Sequence, residues 1–79
     1  MKEYNDIVKF SVLISVYNKE KPDFLEKALG SIYNQTLKPD EVVLVKDGTL
    51  TQELEKVIGG EQDKFIEHNI DFVCVQLDK

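Results

Sequence analysis

Phe10-Ser11-Val12-Leu13-Ile14-Ser15-Val16 is a run of β-branched and apolar residues whose apolar core is continuous rather than cleanly alternating. Such a run suits a strand covered on both faces, as in a parallel sheet. Two similar runs follow: Glu41-Val42-Val43-Leu44-Val45, and Phe72-Val73-Cys74-Val75 within 70–77. Between the first two, Tyr17 to Lys21 is a polar loop and Pro22-Asp23 opens a helix. Proline suits a first helical turn, and a carboxylate suits the positive end of the helix dipole. Leu25, Ala28, Leu29 and Ile32 fall at i, i+3, i+4 and i+7, predicting one apolar stripe against the sheet. Gly30 weakens this helix by about 1 kcal/mol relative to Ala and marks a close approach of backbones.

Lys38-Pro39-Asp40 reads as a turn. After the second strand, either Thr49 or Thr51 can cap a helix, and Thr49 with Gln52 has capping-box spacing. Leu54, Val57, Ile58 and Phe65 keep helical phase. Gly59-Gly60 interrupts them, leaving one weakened helix or two short ones open, and Asn69 closes the segment. The acidic residues of this helix read as a solvated face. The order is strand, helix, strand, helix, strand, with crossovers long enough for right-handed βαβ connections. The expected class is α/β: a partial Rossmann-like βαβαβ unit, a three-stranded parallel sheet with flanking helices.

The chain has 79 residues and a formal charge of −5, with no basic cluster. That gives no electrostatic footprint for nucleic acid or anionic lipid. Cys74 is the only cysteine, so an internal disulfide and a multi-cysteine zinc site are both excluded, and it reads as a buried strand thiol. No apolar run approaches the ~20 residues of a membrane span. The charged start, Met1 to Asp6, has no apolar signal core behind it, which predicts a reducing, cytoplasmic location. Donor, acceptor and catalytic elements do not all fit in one domain of this size.

Open parallel sheets bind ligands beyond the carboxyl ends of their strands. Those ends are Ser15 to Asn18, Lys46 to Thr49 and Gln76 to Asp78, so Tyr17, Asp47 and Asp78 are expected on one rim. A tyrosine ring offers a stacking face for a flat base, and a carboxylate accepts hydrogen bonds from base N–H or ribose hydroxyl groups. Backbone N–H groups at the next helix start could meet phosphate. Lys46 reads as a solvated surface lysine in preference to a phosphate contact. Neither G-x-G-x-x-G nor G-x-x-x-x-G-K-[ST] occurs, which argues against a dinucleotide dehydrogenase and a P-loop NTPase. Ser15, His68 and Asp47 could be written as a triad, but His68 belongs at the opposite end of the sheet. No metal-ligand spacing is present.

Three ordered stretches carry a resemblance. Ser11-Val12-Leu13-Ile14-Ser15-Val16-Tyr17-Asn18 resembles the opening strand and turn of glycosyltransferase family 2. Leu25 to Thr36 resembles the family's first helix, and Pro39 to Gly48 its second strand and Asp-Asp-Gly loop. Leu50-Thr51-Gln52-Glu53-Leu54 after Asp47-Gly48 is similar to a bacterial branch that includes galactosyltransferase-like and capsule or O-antigen enzymes. The resemblance implies the N-terminal half of a GT-A domain over residues 1–79, the nucleotide-binding portion of a truncated chain. It implies a parent that moves a sugar from a nucleotide donor, a UDP-sugar, to a glycan or lipid-linked acceptor in polysaccharide biosynthesis, in the cytoplasm or at the cytosolic face of the membrane.

By the same resemblance Tyr17 matches a tyrosine that packs on the base, Ser15 a strand-end position near the base, and Asp47 an acid that contacts the base. Lys46 departs from the family, which has an acid there. The family's metal-binding Asp-x-Asp, its catalytic base and the Asn-x-Gly segment after Asp78 do not occur, so no catalytic residue and no metal ligand is assigned. A divalent cation, Mg or Mn, is expected only in the full-length parent, which would also supply the C-terminal half. The competing reading is a non-catalytic α/β module that binds nucleotide or associates with itself. Removing a later neighbour strand would leave Phe10 to Val16 as an exposed apolar edge, which predicts self-association through that edge.

Overall fold

A computed structural model describes residues 9–78; the charged start, Met1 to Asp6, lies outside them. Strand β1 is Ser11–Tyr17, helix α1 Pro22–Tyr33, strand β2 Glu41–Asp47, helix α2 Gln52–Glu67 and strand β3 Asp71–Leu77. The three strands form one parallel sheet in the order β1-β2-β3, the expected α/β unit. Register is constant across it, with Ser11 beside Glu41 beside Asp71 and Tyr17 beside Asp47 beside Leu77.

Asp40 stitches the amino ends of the strands together. Its Oδ2 accepts from Phe10 N at 3.0 Å, its N–H donates to Phe10 O at 3.0 Å, and its carbonyl accepts from Asp71 N at 3.0 Å. These bonds satisfy backbone groups that the ladder leaves over at its first rung.

Both helices lie on one face of the sheet and pack on each other. Val16, Val42 and Leu44 meet Leu25, Leu29 and Ile32 of α1 and Leu54, Ile58 and Phe65 of α2, with Val12, Ile14 and Phe72 packed against them. Ala28, expected in the α1 stripe, is exposed. The other face carries Leu13, Val73, Val75 and Leu77, all exposed, with Val43 and Val45 half-buried. The expected cover on both faces is therefore corrected: among the described residues only one face is covered. Right-handed crossovers that step the same way across a sheet deposit their helices on the same side. Cys74 is also corrected. It shares the helix side with its neighbour Leu44, yet it is exposed on the outermost strand.

Helix α2 runs unbroken through Gly59 and Gly60, which settles the choice left open by the sequence. Thr51, not Thr49, is its N-cap, with Oγ1 accepting from Leu54 N at 3.2 Å. Its end is a Schellman turn on Asn69, whose φ is 62°. Asn69 N bonds Ile66 O at 3.0 Å and Ile70 N bonds Phe65 O at 2.9 Å. Its acidic face is not wholly solvated: Glu61 is buried and takes Lys64 Nζ at 3.3 Å. Gly30 marks no close approach of backbones: a Cβ there would meet only the Tyr33 ring, in ordinary contact 3.6 Å from its hydroxyl.

Candidate functional site

The carboxyl ends of β1 and β2 open into a hollow of about 390 Å³ lined by Tyr17, Asn18, Asp47, Gly48 and Thr49. That volume suits a small-molecule site, for which about 300 to 1,000 Å³ is usual. Tyr17 and Asp47 are register partners on adjacent strands, so the parallel pairing itself brings them together from thirty positions apart. Tyr17 is 49% exposed and Asp47 half-buried, an open ring beside a sheltered carboxylate. After Tyr17 the chain turns back, with Glu20 N bonding Tyr17 O at 3.1 Å, and Pro22 starts α1.

Ser15 lies on the same face as Tyr17 but does not line this hollow. It lines a smaller one of about 190 Å³, between β1 and α1, with Glu20, Phe24 and Ala28 among its walls. Asp78 is exposed just beyond β3 and lines neither hollow.

The Asp47 loop is held from two sides. Gly48 has φ 89°, a conformation that costs glycine little and other residues much. Its N–H reaches Lys46 O at 3.1 Å and Leu77 O at 3.2 Å. Lys46 is not a solvated lysine: its side chain is 18% exposed and its Nζ lies 2.8 Å from Glu55 Oε1 in the first turn of α2. This pairing turns the ammonium toward the helix layer. The same turn carries Glu53, and Thr51 has already taken Leu54 N–H, so the start of α2 is a poor anion site.

From β3, Gln76 Nε2 donates to Gly48 O at 2.9 Å, with Leu77 O at 3.2 Å and Lys46 O at 3.5 Å. Sequence reasoning missed Gln76. The signal was its position directly across β3 from Lys46, visible only once the register is known.

Among the described residues no group of three His, Cys, Asp or Glu side chains could hold a metal ion, and the one acid on the hollow is Asp47. The residues present therefore do not fit the divalent cation expected of the parent, and no chemical step is derived through it. His68 caps the far end of α2 and stacks on Tyr33, with ring centroids 5.1 Å apart. Tyr33 lies at the same far end. Burial, then the neighbouring Glu61 carboxylate, raises its phenol above the usual range, while Lys64 pulls the other way. Glu61 in turn raises Lys64. No described helix is long and apolar enough to cross a membrane.

Comparison with known proteins agrees with this architecture. A UDP-Gal:alpha-D-GlcNAc-diphosphoundecaprenol beta-1,3-galactosyltransferase from Escherichia coli is 52% identical over 54 residues, covering 68% of this chain and 20% of that protein. The amylovoran biosynthesis glycosyltransferase AmsE from Erwinia amylovora is 58% identical over 48 residues, covering 61% of this chain and 18% of that protein. An uncharacterized glycosyltransferase from Haemophilus influenzae is 51% identical over 51 residues, covering 65% of this chain and 19% of its own length. The match thus spans about a fifth of each relative. The family model described as Glycosyl transferase family 2 matches residues 11–78, the whole sheet-and-helix unit, and the chain belongs to that family.

Proposed function

We propose that this chain is the nucleotide-binding portion of a glycosyltransferase that takes a sugar from a UDP-sugar for polysaccharide biosynthesis. The observation that carries the reading is the register pairing of Tyr17 with Asp47 on the wall of the rim hollow. An aromatic face and an acceptor-only carboxylate side by side suit a flat base that presents N–H groups. Ser15, one hollow away, is given a supporting place on β1 and no direct contact. Sugar transfer also requires a base for the acceptor hydroxyl and neutralisation of the departing diphosphate. The rim residues are given the binding role, and both of these tasks are assigned to the remainder of the parent enzyme.

The test is a titration of the 79-residue chain with UDP, followed by ¹⁵N NMR. Shifts are expected at Tyr17, Asn18 and Asp47 to Thr49, with affinity reduced at least ~10-fold in Asp47→Ala, the scale of losing hydrogen bonds to a charged acceptor. An unchanged spectrum at millimolar UDP would refute the reading. A second reading, self-association, is favoured by a separate observation: β1 is an edge strand and its Leu13 is 72% exposed.

A further inference from the structure

Gln76 does more than close the last rung of the sheet. Strands β2 and β3 end at Asp47 and Leu77, and just beyond them the Gly48 N–H still bonds Leu77 O of β3 at 3.2 Å. The Gln76 side-chain amide carries two N–H donors, and three carbonyl oxygens lie around it, those of Lys46, Gly48 and Leu77. The shortest contact, 2.9 Å, is to Gly48. That glycine is buried and at positive φ; Lys46 O and Leu77 O hold its N–H, on the peptide before it, and Gln76 holds its carbonyl, on the peptide after it. A trans peptide is planar, so holding the Gly48 carbonyl also sets the Thr49 N–H, which points away from Gln76. Asp47, Gly48 and Thr49 are three of the five residues lining the rim hollow.

We propose that Gln76 is a positioning residue. Its amide locks the Gly48–Thr49 peptide from β3, and this fixes Asp47 and Thr49 in the geometry that receives a nucleotide. Lys46, paired with Glu55, holds the same loop from the helix side. The claim about the loop concerns the chain without ligand; the consequence for binding rests on the function proposed above.

Gln76→Glu keeps the side-chain length and replaces the donor with a carboxylate facing three carbonyl oxygens. Gln76→Lys restores a donor by different chemistry. In the ligand-free chain, Gln76→Glu is expected to speed amide hydrogen exchange at Gly48 and Thr49 about 10-fold, the scale of one hydrogen bond. Val42 and Leu44 should keep their wild-type rates, and Gln76→Lys should return the loop toward wild type. UDP affinity should fall about 10-fold in Gln76→Glu and recover in Gln76→Lys.

Unchanged exchange at Gly48 and Thr49 in Gln76→Glu overturns the proposal whatever UDP does. Exchange that rises across the whole sheet also overturns it, because the role is then one of general stability. A looser loop with undiminished UDP affinity overturns the positioning role. If the wild-type chain binds no UDP, the nucleotide reading fails, while the exchange data alone still decide whether Gln76 sets the loop.

Discussion

The two faces of the sheet are built from the same kinds of residue and live in different surroundings. On β2, Val42 and Leu44 are fully buried under the helices, while Val43 and Val45, interleaved with them, are half-covered. On β1, Ile14 packs against the core and its neighbour Leu13 is 72% exposed. Apolarity of the strand is therefore a poor guide to burial; the direction in which the crossovers step decides which alternate residues are covered. The contrast predicts unequal costs of truncation. Leu44→Ala should destabilise the chain by about 2–5 kcal/mol in urea unfolding, the usual range for a filled core site. Val45→Ala on the open face should cost less than about 1 kcal/mol. Equal costs would mean that the open face is covered in solution.

This contrast also marks what could be read in advance. The strands were legible because β-branched runs bounded by turn residues have few other uses, and α1 because Pro22-Asp23 precedes a clean stripe. The rim pair was legible as far as Tyr17 and Asp47, since strand ends follow from strand runs. One-sided cover was not, because Val42-Val43-Leu44-Val45 reads as buried on both sides whichever face has helices over it. Glu61 escaped notice because, besides Lys64 one turn along, its partner is Tyr33 at the end of the other helix. The hold that Gln76 has on Gly48 spans two strands, and no local pattern encodes it.

The helix layer has its own outer surface, and there the contrast can be sharpened. Gly60 lies in the interior of α2, is exposed, and an added Cβ would meet nothing within 4 Å. The same is true of Gly59. Glycine in a helix costs backbone entropy without any steric return at such a site. Gly60→Ala should raise stability by about 0.5–1 kcal/mol, read as a higher midpoint in thermal unfolding by circular dichroism. A lower midpoint would show that this surface of α2 contacts something in solution.

The smallest effect on folding is expected where the apolar surface is largest. Leu13 stands on the open face of edge strand β1, and its register neighbours Val43 and Val73 extend the apolar row across the sheet. Leu13→Lys removes apolar surface that folding leaves in water, so stability should change by no more than about 0.5 kcal/mol. The charge should matter instead for association. A lysine on an edge strand opposes pairing with another edge and would have to be desolvated if a second sheet covered this face. Sedimentation equilibrium on wild type and Leu13→Lys separates the two roles. Wild type should shift toward larger species as concentration rises, and the variant should remain monomeric over the same range with an unchanged unfolding midpoint. A wild-type chain that is monomeric at high concentration removes the self-association reading and leaves the rim hollow as the one feature of the chain with a proposed ligand.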